Sequence, residues 1–106
     1  MNGNGIFVSA NDHHRRAKLR VFLTECRERL RGLTCEEVAA RTDVGDHWYR
    51  SFESGSLLRV PVPYLARLSR TLELTPVQTM ALFFLALPEI YDAYVAQKSS
   101  TLGEAV

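Results

Sequence analysis

From Ala17 onward the apolar residues Leu19, Phe22, Leu23, Cys26 and Leu30 recur at the spacing that places them on one stripe of a helix. The pattern predicts an amphipathic first helix ending near Gly32, with Cys26 in the core. Arg15, Arg16, Lys18, Arg20, Arg27, Arg29 and Arg31 fall on its outward face, where Glu25 and Glu28 are spaced to pair with some of them. A second start follows at once. Thr34 is an expected N-cap, Glu37 stands three residues on to complete a capping box, and Glu36 and Glu37 face the positive helix end, so a helix is expected from Cys35 to about Thr42.

Asp43-Val44-Gly45 interrupts it with a short polar residue that tolerates left-handed backbone, an apolar residue and a glycine. A third helix is predicted over about 46–54, closed by Gly55, and a loop through Leu58, Arg59 and Pro61 leads to a fourth, started by Pro63 and bearing Tyr64, Leu65, Leu68 and Leu72. Thr75-Pro76 opens a fifth, which is apolar nearly all round: Val77, Met80, Ala81, Leu82, Phe83, Phe84, Leu85 and Leu87. One small domain cannot bury every face of such a helix, so part of it is expected to meet another segment or another chain. Pro88 breaks it before a short last helix through Val95. With no strand-length alternation and no internal repeat, the expectation is an all-α, compact bundle of five to six helices over 15–96. A flexible arm over 1–14, rich in turn-prone pairs, precedes it, and a polar tail over 97–106 follows.

Composition narrows this picture a little. A chain of 106 residues, 46% of them apolar, supports one core and not two. The net charge of +1 says nothing about partners, but the basic residues concentrate at the front, seven Lys/Arg against three acids in residues 1–31. Two cysteines, Cys26 and Cys35, without a CxxC pair suit a reducing cytosol, and a thiol at a helix start, as Cys35 would be, is expected to have a lowered pKa. The opening residues lack the features of a signal peptide, and the longest apolar run, 80–87, is less than half a membrane span, so a cytoplasmic protein without membrane contact is expected. His13-His14 find no third or fourth ligand at sensible spacing, and neither a metal nor a cofactor is expected. Glu36, Glu37, Asp43, Asp46, Glu53 and the histidines read as caps, turns and surface positions with no nucleophile-base set, which speaks against an enzyme.

The informative stretch is 33–55, because two short helices joined by a tight turn are the unit that fits a helix into a DNA major groove. Val38, Ala39, Val44, Tyr49 and Phe52 would wedge the pair at a fixed angle, and the close crossing at Ala39 leaves room for little beyond a methyl group. Leu33-Thr34-Cys35-Glu36-Glu37-Val38-Ala39, with Val44-Gly45 and Glu53-Ser54-Gly55, resembles the signature of phage-repressor-type (XRE/Cro) regulators. Val44-Gly45-Asp46-His47-Trp48-Tyr49, then Arg59-Val60, Tyr64-Leu65-Ala66-Arg67-Leu68 and Leu72-Glu73-Leu74, is similar to a branch whose recognition helix begins with Trp-Tyr and whose members often carry a PAS- or GAF-like sensor domain.

The resemblance, over about 17–92, implies a lambda-repressor-like fold and a transcriptional regulator that binds double-stranded DNA, as a homodimer on an inverted repeat. By position it implies base reading by Asp46, His47, Arg50 and Ser51, and phosphate contact by Thr34, Cys35, Trp48 and Arg59. Cys35 stands where the family usually has Gln, Asp43 where it has a turn Gly, and Gly45 where it has a Ser cap. The apolar fifth and sixth helices place Phe83, Phe84, Tyr91 and Tyr94 at a dimer contact. The alternative is a protein-interaction module with weak or lost DNA binding, acting on another regulatory protein through that same surface.

Overall fold

Helix α1 (Ala10–Thr24) begins well before the apolar stripe does, in the computed structural model, which describes residues 10–57 and 59–104. Of the expected arm, residues 1–9 lie outside the described ones, and residues 10–14 are helical. Asp12 explains the early start: it sits in the first turn, where the helix dipole favours an acid, accepts a hydrogen bond from Arg15 at 2.7 Å and forms an ion pair with Arg16 at 2.8 Å. Arg15 also reaches across the molecule to donate to the Leu85 carbonyl at 2.9 Å and is buried, so its expected outward position is corrected.

The chain continues from α1 through a π-helical turn, Glu25–Leu30, and this turn shifts the register of everything after Thr24. With more residues per turn, Cys26 and Arg27 both face inward, while Leu30, expected on the apolar stripe, is 42% exposed. Arg27, expected outside, is 6% exposed. Its guanidinium holds the widened turn in place by donating to the Leu33 carbonyl at 2.9 Å. Gly32 then ends the segment at φ +64°, as the glycine signal predicted.

Helices α2 (Cys35–Arg41) and α3 (Asp46–Glu53) form the helix pair at the expected place. The Thr34–Glu37 capping box is present in full, and Asp43 turns the corner at φ +60°. Helix α4 (Val62–Thr71) starts one residue ahead of Pro63, which occupies its first turn. Helix α5 (Pro76–Ala86) carries a second capping box, between Thr75 and Gln78. Helix α6 (Pro88–Glu104) extends through much of the stretch read as a polar tail, since no proline follows Pro88 within it and its one glycine, Gly103, stands at its very end.

Among the described residues no strand occurs, and the core joins all six helices: Leu19 and Leu23 from α1, Val38 and Ala39, Tyr49 and Phe52, Tyr64, Leu65, Leu68 and Leu72, then Leu82, Leu85 and Ala86, and Tyr91. Helix α1 packs along α5, α2 on α3, and α6 folds back on α5. The apolar excess of α5 is thereby met partly by its own chain, with Phe84 lying 4.9 Å from the Tyr91 ring and 5.3 Å from that of Tyr94. No single described helix is long and apolar enough to cross a membrane; α5 and the first part of α6 pass that test only jointly, across a 93° bend.

Gly55 closes α3 at φ +81°, and a Cβ there would lie 2.9 Å from the Cβ of Arg16. Gly32 has a similar φ of +64° but open space around it. Gly55→Ala is therefore expected to cost about 2–3 kcal/mol, strain plus clash, against about 1 kcal/mol for Gly32→Ala, compared by urea denaturation. Equal losses would mean that Arg16 does not pack against the turn.

Candidate nucleic-acid interface

The turn that joins α2 to α3 fixes which side of α3 faces out. Val38, Ala39, Tyr49 and Phe52 are buried and Val44 packs against them, forming the wedge expected from their spacing. Thr42 is buried at the corner, with its hydroxyl 2.8 Å from the Val38 carbonyl and 2.9 Å from the Tyr64 hydroxyl. An aromatic group then clamps α3 onto α4: Trp48 meets the Tyr64 ring edge-on at 4.8 Å and stacks on Phe52 at 5.9 Å, and Phe52 meets Tyr64 edge-on at 5.9 Å.

The end of α3 is anchored by a charge pair that periodicity does not show. Glu53, read as a surface residue, is 7% exposed. It accepts two hydrogen bonds from Arg27, each 2.8 Å, one from the Tyr49 hydroxyl at 2.9 Å and one from Thr24 at 3.3 Å. Burial pushes the Glu53 carboxyl up, yet the hydrogen bonds from Arg27 and Tyr49, with the Arg27 charge, outweigh it and hold the group below the ordinary value of 4.5. The hydrogen bonds to Glu53 likewise keep Arg27 charged against its burial. Burial next to this carboxylate raises the Tyr49 phenol. Helix α3 is thus tied to the π-helical turn that continues α1 by a buried, hydrogen-bonded ion pair.

With the inner side so occupied, the residues singled out for base reading divide. His47 and Arg50 are exposed on α3, and Asp46 and Ser51 are half-buried. Asp46 is not a free acid beside Arg50, because its carboxylate accepts from Arg50 Nε at 2.9 Å one helical turn away. At the start of α2, Thr34 is exposed, but both its hydroxyl and its amide are engaged by Glu37, at 3.0 and 2.8 Å. Cys35 is half-buried with its thiol 3.8 Å from Glu53. Burial, then the Glu53 charge, pushes that thiol up, which corrects the lowered value expected from its place at a helix start.

Trp48 is half-buried in the aromatic group, and Arg59 is exposed, 3.3 Å from Glu89. A concavity lined by Gly32, Leu33, Thr34, Cys35 and Arg50 runs along one flank of α3, and a groove of about 510 Å³ lined by Val44, Gly45, Trp48, Pro61, Pro63, Tyr64 and Arg67 along the other. Of the residues placed at a dimer or partner contact, Tyr91 is buried in its own chain, so that expectation is corrected for it: Phe84 covers its ring. Phe83 and Phe84 are half-buried and Tyr94 is 53% exposed. Val77 and Met80, the most exposed apolar side chains of α5, were not singled out, although they are the members of its apolar run nearest its N-terminus. Among the described residues no group of three or more metal-ligating side chains forms.

A family model described as helix-turn-helix domain matches residues 18–82 of the chain. No curated protein and no solved structure matches it.

Proposed function

Because the chain belongs to the helix-turn-helix domain family, matched over more than half its length, we propose that it binds double-stranded DNA and acts as a transcriptional regulator of the phage-repressor type. The observation that carries this reading is that α3 keeps His47 and Arg50 outward while every apolar side chain of the helix is committed to the wedge or the aromatic clamp. A helix so exposed and so firmly held is what insertion into a major groove requires.

In this reading Arg50 addresses guanine or a phosphate and His47 a purine N7, with Ser51 beside them. Asp46 either sets the Arg50 fork or accepts from a cytosine amino group. Thr34, Cys35, Trp48 and Arg59 flank the helix as backbone contacts that set register. A homodimer, built on the apolar surface of α5 and α6 around Phe83, Phe84 and Tyr94, would set two such helices one DNA turn apart, about 34 Å, and so read an inverted repeat. The reducing cytoplasm of a bacterium is the setting this implies.

Selection of bound duplexes from a random pool tests the proposal: enrichment of an inverted repeat is the expected result. No enrichment at low salt overturns it in favour of an interaction module. His47→Ala and Arg50→Ala are each expected to reduce the preference for the selected duplex over a scrambled one by about fivefold or more, while binding to the scrambled duplex changes less. Competition titrations by fluorescence anisotropy give both numbers.

A further inference from the structure

Two concave flanks on either side of one exposed helix match the two strands that border a major groove. The flank at Thr34, Cys35 and Arg50 is mixed in character and carries Arg27 and the acid Glu28 as well. The other is apolar and aromatic, walled by Val44, Trp48, Pro61, Pro63 and Tyr64, with Arg67 as the one charged residue lining it. Arg67 is held in position from two sides. Its Nε donates to the Thr42 carbonyl at 3.2 Å, at the corner of the helix pair, and its guanidinium carbon lies 5.4 Å from the centre of the Tyr64 ring. The residue is exposed, no ion pair to an acid is found for it among the described residues, and neither terminal nitrogen has a hydrogen bond there. An arginine fixed at Nε and open at both terminal nitrogens presents a preorganised donor fork.

We propose that Arg67 is a phosphate clamp for the DNA strand on this flank of α3, with the walls formed by Trp48, Pro61 and Pro63 taking the apolar faces of the adjoining deoxyriboses. The inference rests on the reading of α3 as the groove-inserted helix. The occupant is a sugar-phosphate backbone because the groove adjoins the exposed start of that helix at Gly45 and pairs an apolar floor with a single cation. That is the alternation a nucleic-acid strand offers.

The test uses the whole chain and two duplexes, one selected from a random pool and one scrambled, titrated by anisotropy between 50 and 200 mM salt. Arg67→Gln is expected to weaken both duplexes alike, by roughly threefold to tenfold, and to make the dependence of log Kd on log salt shallower by about 0.9. Arg67→Lys keeps the charge but loses the fork and the ring contact, so it is expected to retain the salt dependence and to recover only part of the affinity. Arg70→Gln, one helical turn further and away from the groove, removes the same charge and is expected to change the slope by much less.

Equal effects of Arg67→Gln and Arg70→Gln would reduce the contribution to long-range charge and overturn the clamp. So would an unchanged slope for Arg67→Gln with wild-type binding intact. Failure of the wild-type chain to bind either duplex at 50 mM salt would instead remove the DNA-binding reading itself. Far-UV circular dichroism melts of each variant separate loss of fold from loss of contact.

Discussion

Arg27→Met is expected to destabilise the protein by about 3–5 kcal/mol, since it strands the Glu53 carboxylate in a nearly water-free site. The expected drop in Tm is more than about 10 °C, because 1 kcal/mol moves a domain of this size by several degrees. The pair as a whole is worth far less than this, as its formation had to offset the dehydration of two ions. Arg27→Met combined with Glu53→Gln removes both charges and leaves an acceptor for the Tyr49 hydroxyl, so the double variant is expected to recover most of the loss. A single-variant cost below about 1 kcal/mol, or a double variant no better than the single, would refute the pair as described.

The same pair sets an acid limb. Because the native Glu53 carboxyl titrates below its ordinary value of 4.5, its contribution is fully present above that value and is lost as pH falls towards the lower native one. The slope of stability against pH below about 4.5 is expected to flatten in Glu53→Gln. Chemical denaturation at a series of pH values reads both effects.

Phe52→Ala is expected to cost a similar amount, about 3–5 kcal/mol, by leaving a cavity where the side chain is fully buried. The loss is not confined to area. Trp48 would lose its stacking partner and Tyr64 one of its two edge contacts, so the clamp between α3 and α4 would loosen at its centre. Trp48 is the only tryptophan, and its emission reports on this site directly. Urea unfolding followed by Trp48 fluorescence and by circular dichroism is expected to give coincident, much earlier transitions. If only the fluorescence transition moved, the clamp would be a local feature and not part of the cooperative core. Phe52→Leu, which refills most of the volume, is expected to recover about half of the loss.

The helix pair was legible because its signals are local. Thr34 with Glu37, Asp43 at the corner and Gly55 past the end are each dictated by a few neighbouring residues, and the wedge follows from the spacing of Val38, Ala39, Tyr49 and Phe52. What misled was distant in the chain. Arg27 faces inward because a π-helical turn adds to the turn length, and because Glu53, twenty-six residues on, waits for it. Arg15 is buried because the Leu85 carbonyl, seventy residues away, accepts from it. Periodicity assigns charged residues to the outside by default and has no way to see a partner across the core. The long α6 was not legible for a different reason: a polar stretch carries no apolar rhythm, and helix propensity alone is too weak a signal to extend a helix through it. Of the proposed contacts, the outward placement of His47 and Arg50 was readable from the buried face opposite them. The placement of Arg67 was not, since it depends on where α4 lies relative to the corner at Thr42.

The bond between Asp46 and Arg50 gives α3 an internal rival for every ligand it meets. On the reading of α3 proposed above, a duplex approaching this helix finds the guanidinium already bonded on one side to a carboxylate, an exposed pair that contributes little, and must offer at least that much to draw it away. Random sequence, with phosphates that repel Asp46 and no well-placed acceptor on the base edges, offers little in exchange. A site with guanine opposite Arg50 and an amino group in reach of Asp46 rewards both at once. In that reading the two side chains would act as a small threshold, sharpening discrimination between targets at the expense of the strength with which any one of them is held.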